Sequence, residues 1–77
     1  LTPEQSRAAR GWLNWTQDEL ARRASVALST VRDFEKGRRT PIANNINAME
    51  RAFVAAGVRL EVTDEGEAVG IRVMNPD

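Results

Sequence analysis

The chain contains 77 residues, with 11 basic and 11 acidic side chains, and it has no Cys, His or Tyr. A chain of this length forms one domain with a thin core. Without Cys it has no disulfides and no Cys-based zinc site, and without His it lacks the commonest general base. We therefore expect no enzyme, no metal site and no cofactor. No apolar run approaches the roughly 18 residues that span a bilayer, and no basic, apolar leader is visible. These features predict a cytoplasmic protein with no membrane partner.

The first predicted helix begins after Thr2. Thr2 and Gln5 have the spacing of a capping box, in which each side chain bonds a backbone N–H at the start of the helix. Asn14 readily adopts the left-handed conformation that ends a helix. Helical spacing predicts an inward face formed by Ala9, Trp12 and Leu13.

A second helix is predicted from Gln17 to Ala24. Thr16 is a good N-cap, and Glu19 stands three residues later, as in a capping box. Trp15 before the cap and Leu20 at the fourth helical position form a hydrophobic staple, so Trp15 is expected to pack inward. The pattern breaks at residues 25–27.

A third short helix is predicted from Leu28 to Lys36, with Val31 and Phe34 inward and Gly37 just past its end. Its other side is small and mixed in polarity, which suits insertion into a DNA major groove. There an arginine donates to guanine, an aspartate accepts from cytosine and a leucine packs on a thymine methyl. The predicted base-contacting residues are Ala27, Leu28, Ser29, Arg32 and Asp33.

The charges are unevenly distributed although the net charge is zero. Residues 22–39 carry six basic and two acidic residues, net +4, whereas residues 57–77 carry two basic and five acidic residues, net −3. A local basic face is what phosphate contact requires. The predicted phosphate contacts on and after the third helix are Lys36, Arg38, Arg39 and Asn44.

A fourth helix is predicted from residue 42 or 43 to Ala56, with Gly57 as its C′ residue. Its apolar positions recur at steps of four and three, which indicates a stripe facing the core or an interface. The stripe comprises Ile42, Ile46, Met49, Phe53 and Ala56.

The period then changes to two over residues 58–62 and 69–73, which predicts a β-hairpin with one apolar face. An isolated hairpin is marginal, so this face must pack on the helices or on a second chain. We predict one unit with a DNA-binding part, residues 1–57, and a dimerising hairpin, residues 58–77, whose last three residues, Asn75 to Asp77, fray. The predicted dimer interface comprises Phe53, Val58, Leu60, Val69, Ile71 and Val73.

The pattern over residues 7–57 resembles the helix-turn-helix of lambda-repressor-like (Cro/XRE) DNA-binding proteins, carried by Gln17, Leu20, Ala21, Val26, Val31, Glu35 and Gly37. The resemblance implies a mainly α fold of four to five helices, here with a C-terminal hairpin. It also implies an ion pair between Arg10 and Glu35 and phosphate contacts by Thr16 and Gln17. Two positions depart from the family: Ser25 replaces the usual turn glycine, and Ala27 replaces the usual capping Ser or Thr.

These observations predict a dimeric regulator, a repressor, that binds palindromic double-stranded DNA. Two alternatives stay open. One is an antitoxin-like autoregulator whose main role is to bind a protein partner, and the other is a scaffold that has lost DNA binding. The operator and any effector are not encoded in the pattern.

Overall fold

The computed structural model describes residues 1–74, which form four helices and one two-stranded antiparallel sheet. The expectation that Asn75 to Asp77 fray lies outside the described residues. The predicted fold class, a mainly helical helix-turn-helix domain with a C-terminal hairpin, is confirmed. The elements are α1 (Pro3–Leu13), α2 (Gln17–Ala24), α3 (Leu28–Glu35), α4 (Ala43–Ala55), β1 (Val58–Val62) and β2 (Ala68–Val73).

The ends of α1 form as predicted. The Thr2 hydroxyl accepts from the Gln5 N–H at 3.1 Å, and the Gln5 side chain accepts from the Thr2 N–H at 3.0 Å. At the other end, Asn14 has φ 58°, and the N–H of Trp15 donates to the carbonyl of Arg10 at 2.9 Å. These local bonds fix the direction in which the chain leaves α1.

The capping box predicted for α2 is only half right. Thr16 accepts from the Glu19 N–H at 3.0 Å, but the Glu19 carboxylate turns away and pairs with Arg22 and Arg23 at 3.0 and 2.8 Å. Both arginines lie within one turn of Glu19 on the same helix, where a charged partner competes with a single neutral backbone N–H.

The junction between α2 and α3 retains its fold without the usual residues. Ser25 occupies the left-handed conformation at φ 56°, and Ala27 is the N-cap of α3 with no side-chain cap hydrogen bond. The end of α3 is regular: Gly37 has φ 74°, and the N–H groups of Gly37 and Arg38 donate back into the last turn at 2.9 Å each. These two hydrogen bonds form a Schellman motif, which fixes the direction in which the following basic loop leaves the helix.

The core lies between the four helices and the inner face of the hairpin, with Phe53 near its centre. Its buried apolar members are Ala9, Leu20, Ala21, Ala24, Val31, Phe34, Met49, Phe53 and Val58. Trp15 packs against this core and stacks on Phe53, with ring centroids 5.8 Å apart. The inward prediction for Trp15 is therefore confirmed.

The prediction that Trp12 faces inward is wrong, because its side chain is 63% exposed. The inward stripe of α1 runs through Ser6, Ala9 and Leu13, at steps of three and four, and Trp12 falls at the edge of that stripe. A domain this small has too little core to cover such an edge. Ile42, the first residue of the predicted α4 stripe, is likewise exposed.

The hairpin packs its apolar side on its own helices. β1 contacts α4 and β2 contacts α1, and the pairing register sets Val58 opposite Val73 and Leu60 opposite Ile71. The side-chain amide of Gln5 adds a polar tie by donating to the carbonyls of Glu61 and Gly70 at 2.8 and 2.9 Å. The register shifts after Glu61, so Val69 has no partner of its own in β1.

This packing corrects part of the predicted dimer interface. Phe53 and Val58 are 0% exposed within the protomer, so their side chains cannot contact a second chain. Both serve the core because the hairpin folds back on α4. Leu60 and Ile71 are half-buried, and Val69 and Val73 are exposed. Among the described residues, no helix combines the length and the apolar character needed to cross a membrane.

Candidate nucleic-acid interface

A buried carboxylate fixes the helix-turn-helix to α1. Arg10 donates from Nε to both oxygens of Glu35, at 3.1 and 2.9 Å, and from Nη2 to Oε1 at 2.6 Å. The Glu35 side chain is 1% exposed. Ser6 and Gln17 donate to the same carboxylate at 2.5 and 3.0 Å. The carboxylate thus joins α1, the start of α2 and the end of α3 in one hydrogen-bonded cluster.

The cluster keeps Glu35 ionised. Burial by itself raises the pKa of the Glu35 carboxyl, but hydrogen bonds from Arg10, Ser6 and Gln17, together with the Arg10 charge, outweigh it. The pKa of Glu35 consequently lies below its usual value. A bidentate Arg–carboxylate pair also restricts the angle between the two helices, because a planar fork accepts a planar partner in few orientations.

The outer side of α3 presents a polar stripe. Ser29, Arg32 and Lys36 are exposed at steps of three and four, and Ala27 is exposed just before the helix. Leu28 is half-buried and packs against the core, so part of its apolar surface is already used within the protomer. Asp33 is half-buried at the side of the stripe. The five base-contact candidates therefore lie on α3 or at its N-cap, and they are unequally accessible.

Asp33 lines a shallow cleft between α3 and the start of α4. Ser29 and Thr30 line it from α3, whereas Arg39 and Asn45 line it from the loop and from α4. The cleft brings a carboxylate, hydroxyl groups, a guanidinium and an amide to one surface. Thr30 and Asn45 are not among the residues predicted from the sequence, and Thr30 lies outside the polar side predicted for the third helix.

The basic residues flank α3 at its C-terminal end. Lys36, Arg38 and Arg39 are all exposed, and none of them forms an ion pair with a carboxylate within residues 1–74. Asn44 is also exposed, in the first turn of α4. An exposed cluster of three cations beside a polar helix is an arrangement that attracts a phosphate backbone.

At the start of α2, Thr16 and Gln17 are the predicted phosphate contacts. The Thr16 hydroxyl caps the helix by accepting from the Glu19 N–H, and the Gln17 amide donates to Glu35. Both side chains thus form hydrogen bonds within the chain, that of Thr16 at the surface. The backbone N–H groups of the first turn of α2 remain a positive helix terminus of the kind that accepts an anion.

Two further residues that bond Glu35 were not among the predicted site residues. Ser6 is fully buried and donates to the carboxylate, and Arg7 donates to the backbone carbonyl of Glu35. Ser6 stands four residues before Arg10 and therefore on the same face of α1, which is a signal that could have identified it. Arg7 gave no such signal, because its acceptor is a main-chain atom.

A family model for the helix-turn-helix matches residues 7–53, which contain all of α2 and α3 and most of α1 and α4. The chain belongs to the Cro/XRE helix-turn-helix family. A comparison with curated proteins finds no significant match. The matched range ends within α4, so the last residues of that helix and the whole hairpin lie outside the family match.

Membership in a helix-turn-helix family indicates which helix of the motif contacts DNA. In this motif the second helix is the recognition helix, and its outer side chains contact base edges in the major groove. In this helix-turn-helix protein the second helix of the motif is α3, whose exposed stripe lies opposite the buried Val31 and Phe34. The family is one of DNA-binding regulators.

Proposed function

We propose that the chain is a sequence-specific regulator that represses transcription as a dimer on a palindromic double-stranded operator. The observation that carries the proposal is the exposed stripe on α3, which is anchored to α1 by the Glu35 cluster and flanked by exposed cations. Preorganisation matters because a recognition helix with a fixed angle loses little entropy when it enters the groove.

In this proposal the exposed side chains have separate tasks. Arg32 donates to guanine, while Ser29, Ala27, Leu28 and Asp33 contact neighbouring base edges. Phosphates are bound by residues at both ends of the motif, and these contacts fix position but do not read sequence. The phosphate-binding set is Thr16, Gln17, Lys36, Arg38, Arg39 and Asn44, with Thr16 and Gln17 acting through the start of α2.

The size of the protomer supports a two-fold arrangement. Half-sites one helical turn apart are separated by about 34 Å, and the longest dimension of the described chain is 33 Å. Two protomers side by side therefore span adjacent half-sites without a linker. The residues of the predicted interface that remain accessible, Leu60, Val69, Ile71 and Val73, all lie on the hairpin, so we place the dimer contact on the hairpin.

The exposure of Trp12 favours one second candidate, an autoregulator of the antitoxin type. Trp12 lies four residues after Ala8 on α1, and Ala8 lines a groove with Val69 and Gly70 of β2. An aromatic side chain beside an apolar groove is suited to a protein partner. This surface is separate from the α3 stripe, so one chain has room for both activities.

The decisive experiment is equilibrium binding to duplex DNA as a function of salt. Random duplexes and a pool enriched by repeated selection are compared, with the mass of the complex measured in parallel. We expect tight, salt-sensitive binding and enrichment of a palindrome by a dimer. Absence of affinity at low salt would overturn the proposal. Recovery of one stable partner from a pull-down with wild-type chain, lost in Trp12→Ala, would favour the second candidate.

A further inference from the structure

The outer edge of β1 is an unpaired strand edge. The Met74 N–H donates to the Gly57 carbonyl at 2.7 Å, and antiparallel bonding alternates from that pair. Arg59 and Glu61 consequently bond to β2, whereas the N–H and C=O groups of Val58, Leu60 and Val62 point away from it. Within residues 1–74, no group outside the hairpin bonds those outward atoms.

The charges on the solvent face of the hairpin are incompletely paired. Arg59 stands directly opposite Arg72, an arrangement of like charges that destabilises a strand pair. Arg72 reaches Glu61 at 2.9 Å, but Arg59 forms no ion pair with any carboxylate in the described part of the chain. Within residues 1–74, Arg59 is therefore available on this face to pair with a carboxylate of a second chain.

We propose that β1 pairs antiparallel with β1 of a second copy of the chain, in a register centred on Leu60. This register sets Arg59 opposite the partner's Glu61, and Glu61 opposite the partner's Arg59. These are non-hydrogen-bonded positions, where side chains approach most closely. The two hairpins then form one four-stranded sheet with two new Arg–Glu pairs. The inference deepens the dimer of the proposed function and depends on it.

The end of α4 extends this surface. Val54 is 44% exposed and lines a groove with Glu50, Arg59 and Leu60. A five-residue strand contact by itself falls short of the roughly 800 Å² per partner that stable dimers bury. The adjoining α4 surface supplies the additional apolar contact, so the interface combines a strand edge with the side of one helix.

The edge of β2 is a poorer candidate for the same partner. Val69 bulges out of the ladder, and a bulge disturbs regular pairing at an edge. Self-pairing of β2 centred on Ile71 would set Arg72 opposite the partner's Gly70, which adds no carboxylate for either arginine. The positions of the charged side chains therefore favour the edge of β1 over the edge of β2 for pairing with a second chain.

A charge-reversal experiment tests the register. Arg59→Glu sets two carboxylates opposite each other in each cross-strand pair, and Glu61→Arg sets two guanidinium groups there, so each variant alone is expected to dimerise about tenfold more weakly. In an equimolar mixture, the two variants can form a heterodimer. Each of its two cross-strand pairs then joins a carboxylate of the Arg59→Glu chain to a guanidinium group of the Glu61→Arg chain. We expect the mixture to recover association relative to either variant alone in sedimentation equilibrium. Unchanged association in both variants would overturn the proposal.

Cysteine cross-linking gives a second readout, because the chain contains no Cys of its own. Opposed non-hydrogen-bonded residues have Cα atoms about 4.5 Å apart, within the range that a disulfide spans. A mixture of Arg59→Cys and Glu61→Cys is expected to form the mixed disulfide in excess over either symmetric one. Preferential cross-linking of a Val69→Cys and Val73→Cys mixture would instead assign the contact to β2 and overturn the proposal.

The tests separate this inference from the proposed function. Arg59 and Glu61 lie on the hairpin and have no role in the proposed DNA contacts, so binding of the charge-reversed variants to a single half-site duplex is expected to equal that of wild type. If no variant binds DNA but the cross-link forms, the function fails and the interface stands. If DNA is bound by a dimer that ignores both charge reversals, the interface fails and the function stands.

Discussion

Arg10 binds both carboxylate oxygens of Glu35, and this contact joins α1 to the last residue of α3 across 25 positions of sequence. The carboxylate is buried, and Ser6 and Gln17 occupy its remaining acceptor sites. Within residues 1–74, no buried side-chain nitrogen or oxygen lacks a hydrogen-bond partner. The recognition helix is therefore supported by a polar cluster that is fully satisfied rather than by apolar packing alone.

Glu35→Gln is expected to lower the free energy of unfolding by about 3 kcal/mol, because it leaves the Arg10 guanidinium without its counter-charge in a shielded site. The measurement is urea denaturation followed by circular dichroism. Glu19→Gln is the matched control: Glu19 pairs with Arg22 and Arg23 on the exposed side of α2, and such surface pairs contribute less than about 1 kcal/mol. Equal losses of unfolding free energy in the two variants would show that the buried Glu35 cluster contributes no more to stability than a surface ion pair.

Stability is expected to fall in acid through Glu35. Its pKa is lowered in the folded state, so the unfolded chain binds the proton first as the pH falls. The stabilisation is complete above the unfolded pKa, roughly 4.3, and is lost as the pH falls through the lower folded pKa. The difference in unfolding free energy between wild type and Glu35→Gln should therefore shrink below about pH 4. A constant difference from pH 7 to pH 3 would contradict this assignment.

Gly11→Ala and Gly37→Ala should change stability in opposite directions. A Cβ at either position would meet no atom within 4 Å, so only backbone conformation distinguishes them. Gly11 lies within α1, where alanine should stabilise by up to about 1 kcal/mol. Gly37 has φ 74°, where a side chain should cost about 1–2 kcal/mol. Thermal unfolding of both variants checks the prediction, and a gain in both would refute it.

The basic loop should determine the salt dependence of DNA binding. Replacing Arg38 and Arg39 together by Gln is expected to weaken binding and to reduce the salt slope by about 2, because each phosphate contact releases about one counterion. The control replaces Arg22 and Arg23 by Gln, which removes the same charge from the exposed side of α2, where both arginines already pair with carboxylates. Equal slopes for the two double variants would indicate only general attraction.

Local patterns in the sequence were sufficient for most of the fold. The Thr2–Gln5 capping box, the left-handed Asn14 and the Schellman motif at Gly37 each depend on groups a few residues apart, so residues close in the sequence are enough to predict them. The change of period after Gly57 likewise identified both strands. The helix-turn-helix motif combined such short-range signals, and the family match agrees with it.

Partners and burial were decided by the tertiary structure. The sequence did not determine that Gln5 donates to Glu61 and Gly70 in the distant hairpin, or that the hairpin folds onto its own helices and buries Val58. It also did not determine that Trp12 is left outside the core. Propensity and periodicity act over one or two turns, whereas which side of a helix is covered depends on where distant elements pack. The sequence by itself determined the elements and the motif, and only the tertiary structure decided which surfaces remain free for DNA and for a second chain.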